Sequence, residues 1–125
     1  MELSERSLKN CEGVHADLVK VVKRAAELTE VDFIVIEGLR SMKRQRELVA
    51  AGASKTLKSR HLTGHAIDFV PVISGQIEWK TTAYKLPLEA FRRAAEDCKV
   101  PVEFGADWKT FKDYPHVQLP WKTYP

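Results

Sequence analysis

"SRHLTGHAIDFV", residues 59–70, runs from a polar loop into an apolar, β-branched segment. Asp68 stands in the middle of the apolar part. Burying a carboxylate without a partner is costly, so a strand that carries one must turn it toward something polar. Side chains alternate faces along a strand. With the strand beginning near His65, that residue, Ile67 and Phe69 share one face, while Ala66, Asp68 and Val70 share the other. The first face is largely apolar and is expected to meet the core, which leaves Asp68 pointing the opposite way. His61, followed by Thr63-Gly64, can fold back so that its imidazole meets the Asp68 carboxylate, because glycine permits the tight backbone path. His65 then falls on the wrong face.

On either side of this stretch the chain alternates helical and strand patterns. "GVHADLVKVVKRAAELTE" places Leu18, Val21, Val22, Ala25 and Leu28 on one stripe of a helix. "VDFIVIEGL" reads as a buried strand closed by Gly38. Ser41 is placed to cap a second helix, "MKRQRELVAAG", which Gly52 ends. After the strand "HAIDFVPV", Ser74-Gly75 turns the chain toward "QIEWK". Pro87 is expected to open a third helix with Leu88, Phe91, Ala94, Ala95 and Cys98 on one face, and "VPVEFG" and "HVQL" complete the strands. The expected fold is α+β: a small single domain over 1–125, with a mainly antiparallel sheet and helices packed on it.

The 125 residues are 44% apolar and 30% charged, the proportions of a soluble globular protein. Nothing approaches a membrane-spanning run. "MELSERSLKN" lacks the basic-then-apolar layout of a secretory signal, so the chain is expected to act from the cytoplasm or leave it by another route. Cys11 and Cys98 show no metal-binding spacing and read as buried thiols. Net charge is +3, but from Arg40 to Arg60 seven Lys/Arg face one acid, Glu47. Such a segment attracts anionic partners. It holds no Phe, Tyr or Trp, which argues against a nucleic-acid site built on stacking.

A second stretch gives Asp68 and His61 company. "DWKTFKDYPHVQLP", residues 107–120, carries Asp113 and His116 around Pro115, which excludes a helix there. Parity puts His116 and Gln118 on one face of the following strand, Val117 and Leu119 on the other. His61, Asp68 and His116 together form a His/Asp/His set on the polar face of the sheet. Catalytic zinc takes three protein ligands of this kind and keeps its fourth position for water, and Asp113 lies near enough to act on that water. Each residue also has a bland reading. His61 could be an idle loop histidine, Asp68 could pair with Arg60 or Arg40, and the His116 ring could cover Trp108 or Trp121. Those readings leave four polar residues without a common explanation.

"SRHLTGHAID" resembles the Ser-x-His-x-x-Gly-x-Ala-x-Asp motif of the zinc D-alanyl-D-alanine carboxypeptidase and L-alanyl-D-glutamate peptidase clan. "DYPHVQL" is similar to its Asp/Glu-x-x-His motif, "VIEGLRSMKRQ" to its Arg-Ser-x-x-x-Gln element, and "GVHADLVKVVKRA" to the first helix of the phage endolysin branch. The likeness spans nearly the whole chain. It implies that His61, Asp68 and His116 hold zinc, that Asp113 is the general base, and that Arg40 faces the substrate carbonyl. Ser59, Gln45 and Trp108 match motif or flanking positions, while His65 occupies a variable one. An aspartate base, where carboxypeptidase members often have Glu, favours the endopeptidase branch. The function so implied is hydrolysis of the L-alanyl-D-glutamate bond of the peptidoglycan stem peptide. It would be carried out by a monomeric endolysin without a separate wall-binding domain, released from the host cytoplasm across the inner membrane. A D-alanyl-D-alanine carboxypeptidase and a non-catalytic wall-binding module are the alternatives.

Overall fold

The computed structural model describes residues 1–125, and β2 (Ala66–Ile73) is the strand on which the architecture turns. On one edge it pairs antiparallel with β1 (Phe33–Glu37), on the other with β5 (His116–Gln118), which in turn pairs with β4 (Glu103–Phe104). The far end of β2 turns through Ser74-Gly75 into β3 (Gln76–Ile77). The order is β1-β2-β5-β4, and the pairing is antiparallel throughout, in line with the mainly antiparallel sheet expected.

Two amphipathic helices cover one face of this sheet. α2 (Ala16–Leu28) buries Leu18, Val21, Val22 and Ala25, the stripe its spacing predicts. α4 (Lys85–Cys98) buries Leu88, Phe91 and Ala94 against the same surface. Phe91 stacks on Phe69 of β2 with ring centroids 4.7 Å apart and meets Phe33 of β1 at 5.1 Å. Ile67, Val117 and Leu119 complete the layer, all fully buried. Asp68 lies on the other face, as strand parity requires. No helix is long and apolar enough to cross a membrane.

Several boundaries differ from those read in the sequence. α4 begins at Lys85, after a 3₁₀ turn over Thr81–Tyr84, so Pro87 sits inside the first turn instead of opening it. The position costs nothing, because amides of the first turn have no intrahelical acceptor. β3 and β4 are two residues each, shorter than "QIEWK" and "VPVEFG" suggest. His65 precedes β2, which starts at Ala66. Cys11 is buried, but Cys98 is only half-buried; both are free thiols.

The short helix α1 (Glu5–Asn10) has no counterpart in the sequence reading. Ser4 caps it, and it covers the outer edge of β1 with side-chain hydrogen bonds in place of a further strand. The Ser7 hydroxyl accepts from the Val35 N–H at 3.0 Å, and the Asn10 amide donates to the Val35 carbonyl at 2.9 Å. Where β1 leaves the sheet, a Cβ on Gly38 would lie 2.0 Å from the Asn10 carbonyl oxygen. Only glycine allows that approach.

Candidate metal centre

α3 (Met42–Ala50), capped by Ser41, contributes Arg44 and Leu48 to the cleft that Asp68 and His116 also line. Three residues from separate parts of the chain meet in that cleft. His61 is carried by a 3₁₀ turn, Arg60–Thr63, whose Ser59 cap accepts from the His61 N–H at 3.2 Å. Gly64 closes the turn at φ +74°, and a Cβ there would stand 2.3 Å from the Gly13 carbonyl oxygen. The turn folds the imidazole back over β2, as the Thr63-Gly64 pair suggested. Asp68 and His116 are direct cross-strand partners. One ligand atom from each of the three lies within 4.8 Å of the others.

Hydrogen bonds fix which nitrogen each histidine presents. His61 Nδ1 lies 2.8 Å from the Gly38 carbonyl oxygen, which can only accept, so Nδ1 donates and Nε2 keeps its lone pair. That Nε2 is 3.2 Å from Asp68 Oδ1. On the other ring, Nε2 donates to Gln118 Oε1 at 2.7 Å, and the Gln118 amide donates onward to Glu103 Oε1 at 3.2 Å. His116 Nδ1 is thereby turned toward the same Asp68 oxygen at 3.3 Å. Two lone pairs and a carboxylate oxygen thus face one point, an arrangement that repels itself until a cation or proton sits among them. Two imidazole nitrogens and one carboxylate oxygen are donors suited to a divalent transition ion, and outer hydrogen bonds of this kind orient metal-binding histidines. The residues fit a metal ion.

The electrostatics agree. Burial alone would push the Asp68 carboxyl up, but the imidazoles of His116 and His61 beside it hold it well below the usual carboxylate range. Burial works against charge on His116 too, yet Asp68 outweighs it and raises that imidazole above its ordinary value. His116 therefore holds a proton more tightly than a free imidazole does.

Arg40 borders the cluster through a register slip. Between Val35 and Glu37 the β1–β2 pairing shifts by one, so Glu37 stands opposite Asp68. Bulges of this type re-aim side chains near sites. The Arg40 guanidinium donates twice to Glu37 Oε1, once from Nε at 2.7 Å and once from Nη2, and Nη1 donates to Gln45 Oε1 at 2.7 Å. Asp68 Oδ2 is 3.8 Å from Nη2. Gln45 is fully buried and spends its own amide on Ser54 and the Thr56 carbonyl, which ties Arg40 to the 53–58 segment. A guanidinium has five N–H groups, so two remain for other acceptors.

Asp113 lies on the loop before β5, its N–H bonded to the Gly105 carbonyl at 3.0 Å and its carbonyl to the His116 N–H at 3.1 Å. Burial, with the charge of Asp68 adding to it, raises its carboxyl above the ordinary value, against the pull of His116, His61 and Arg40. Asp113, Arg40 and the three ligand-type residues line one cleft of about 830 Å³.

His61, Asp68, His116, Asp113 and Arg40, the residues singled out in the sequence, thus lie together in one cleft. His65 stands apart, 2.6 Å from the Thr63 hydroxyl and with its ring 5.5 Å from His15. Asp68 does meet Arg40, but Arg60 turns away: it is buried and donates to the Leu119 and Tyr124 carbonyls at 3.0 and 2.5 Å. The His116 ring does lie beside Trp108, at 5.2 Å, without giving up Nδ1. Glu37, the Gly38 carbonyl, Gln118 and Glu103 were not identified as partners. Only Gln118 carried a signal, its shared face with His116.

Comparison with known proteins points the same way. The model of the phage L-alanyl-D-glutamate peptidase family matches residues 1–119. The L-alanyl-D-glutamate peptidase of Escherichia phage T5 is 35% identical over 127 aligned positions, covering 98% of this chain and 92% of the phage protein. The peptidoglycan L-alanyl-D-glutamate endopeptidase CwlK of Bacillus subtilis is 32% identical, with 85% of this chain and 75% of CwlK covered. Among solved structures, the L-Ala D-Glu endopeptidase ChiX of Serratia marcescens superposes with a TM-score of 0.95 at 50% identity, over 100% of this chain and 94% of that one.

Proposed function

Because the chain belongs to the phage L-alanyl-D-glutamate peptidase family, we propose that it is a zinc-dependent endopeptidase acting on the stem peptide of peptidoglycan. The observation that carries this reading is the convergence of His61 Nε2, His116 Nδ1 and an Asp68 oxygen on one point beside Asp113 and Arg40. In the proposal residues 1–125 act as one catalytic domain and as a monomer.

His61, Asp68 and His116 would hold the ion. When bound, zinc supplies Lewis acidity that brings the pKa of a water down to about 7. Asp113 is the general base: its raised pKa makes it a better proton acceptor than an ordinary carboxylate. It takes the proton from the attacking water, orients that water toward the alanyl carbonyl carbon, and hands the proton to the departing glutamyl nitrogen as the C–N bond breaks. Arg40, held from behind by Glu37 and Gln45, has two N–H groups left for the carbonyl oxygen as negative charge develops there. A group already fixed in place loses little on meeting the transition state. The carboxylate of Asp68 offsets part of the ion's charge.

The rim suits the substrate. Arg44, Lys55, Lys58 and Lys112 line the cleft, and a glutamyl residue keeps one free carboxylate whichever of its carboxyl carbons carries the chain onward. Incubation with purified peptidoglycan, with and without chelator, tests the reading. New amino-terminal D-glutamate that disappears with chelator is expected. Free D-alanine would make the protein a carboxypeptidase, and wall binding without release of amino groups would make it a binding module.

A further inference from the structure

The cleft carries an aromatic side chain that the proposed chemistry does not use. Trp121 follows β5 on the C-terminal tail, is half exposed, and lines the same cleft as the metal cluster. One face of its indole is covered: the Arg60 guanidinium lies 4.1 Å from the ring centroid. Arg60 is itself buried and fixed in its own plane by the carbonyls of Leu119, Pro120 and Tyr124. A guanidinium bonded in its plane offers its flat face to a ring, so the tryptophan rests on a rigid support. About half of the residue stays exposed, at 52%. Of the two other aromatic residues of the cleft, Trp108 packs beside His116, and Phe111 has only the Lys55 ammonium over it, 5.4 Å from the centroid, with no buried support behind it.

In peptidoglycan the first residue of the stem peptide is the alanine, and its amino group is joined through a lactyl ether to an amino sugar. With the alanyl carbonyl beside the metal cluster, the sugar follows within about two residues' length, roughly 7 Å. A pyranose presents a face of weakly positive C–H groups, and an indole face is electron-rich. A half-exposed, rigidly backed indole lining a peptide-cleaving cleft matches that chemistry.

We propose that Trp121 is a specificity residue that stacks on the amino sugar attached to the alanine, so the protein prefers stem peptides still joined to glycan. The inference rests on the peptidase reading and adds the sugar to its substrate. Holding the sugar fixes the register of the peptide, and that positioning is read in kcat/KM.

The test compares two substrates under saturating zinc: a muramyl peptide, and the same peptide with an acetyl group replacing the sugar. For the unaltered protein the expected ratio of kcat/KM values is about five- to tenfold in favour of the muramyl peptide. Trp121→Ala should bring the ratio close to one, chiefly through KM, and Trp121→Phe should restore part of it. A muramyl peptide added to metal-free protein should shift the Trp121 indole N–H resonance, while the acetyl peptide leaves it in place. An unaltered ratio in Trp121→Ala, or no preference in the original protein, would overturn the inference and leave the peptidase reading standing. Cleavage of neither substrate would overturn the peptidase reading and the inference with it.

Discussion

Replacing Asp113 by asparagine separates chemistry from architecture. The amide keeps the shape and loses the ability to accept a proton. A positioned general base contributes about 10²- to 10⁴-fold, so kcat/KM should fall by that factor, or about 2.7–5.4 kcal/mol of transition-state stabilisation. Metal stoichiometry should not change, because the three convergent donors are His61, Asp68 and His116. Stability should move the other way. The folded carboxyl is raised by burial and by Asp68, so the folded state binds its proton more tightly than the unfolded chain. Its contribution is fully present below the unfolded value, near 3.9, and is lost as pH rises through the raised folded value. At neutral pH ionised Asp113 thus costs the metal-free protein stability, and the asparagine variant should melt higher. The gap between the two proteins should close below about pH 4. Hydrolysis of stem peptide, metal content, and thermal melts of metal-free protein at several pH values measure all three. Full activity, or loss of the metal, would refute the assignment; a lower melting point at neutral pH would refute the electrostatics.

Other consequences follow from neighbouring contacts. Gln118→Ala removes the acceptor that turns His116 Nδ1 inward and should weaken metal affinity about 10- to 100-fold in chelator competition; unchanged affinity would contradict the role of that bond. Gly38→Ala places a Cβ 2.0 Å from the Asn10 carbonyl oxygen, so thermal melts should show a loss of about 1–3 kcal/mol or more, together with weaker metal binding as the acceptor of His61 moves. Metal must displace a proton held by the raised His116, so calorimetric affinity should drop as pH falls through that value, and a flat profile between about pH 5 and 8 would count against it. Arg40→Ala should lower kcat more than it raises KM, and a pure KM effect would make Arg40 a substrate anchor.

Most of the candidate site was legible in the sequence because strand parity is a strong constraint. Asp68 among β-branched neighbours, and His116 two residues from Gln118, had to share a polar face whatever the sheet around them, and Gly64 marked the turn that returns His61. The parts that stayed hidden depend on pairing and not on local pattern. Glu37 reaches Asp68 only through a slip in the β1–β2 register, and Glu103 reaches Gln118 only because β4 pairs with β5. Six residues of α1 are too few for a periodic stripe, and its worth lies in two hydrogen bonds to a distant strand edge. Arg60 reads as one more charge in a basic run, yet it is a buried clamp for the C-terminal tail.

Anomalous diffraction at the zinc edge, from crystals grown with the metal, tests the centre most directly. One strong peak is expected about 2.0–2.2 Å from His61 Nε2, His116 Nδ1 and an Asp68 oxygen, with a coordination position open toward Asp113. A peak bound elsewhere, or an ion ligated through His65, would contradict it.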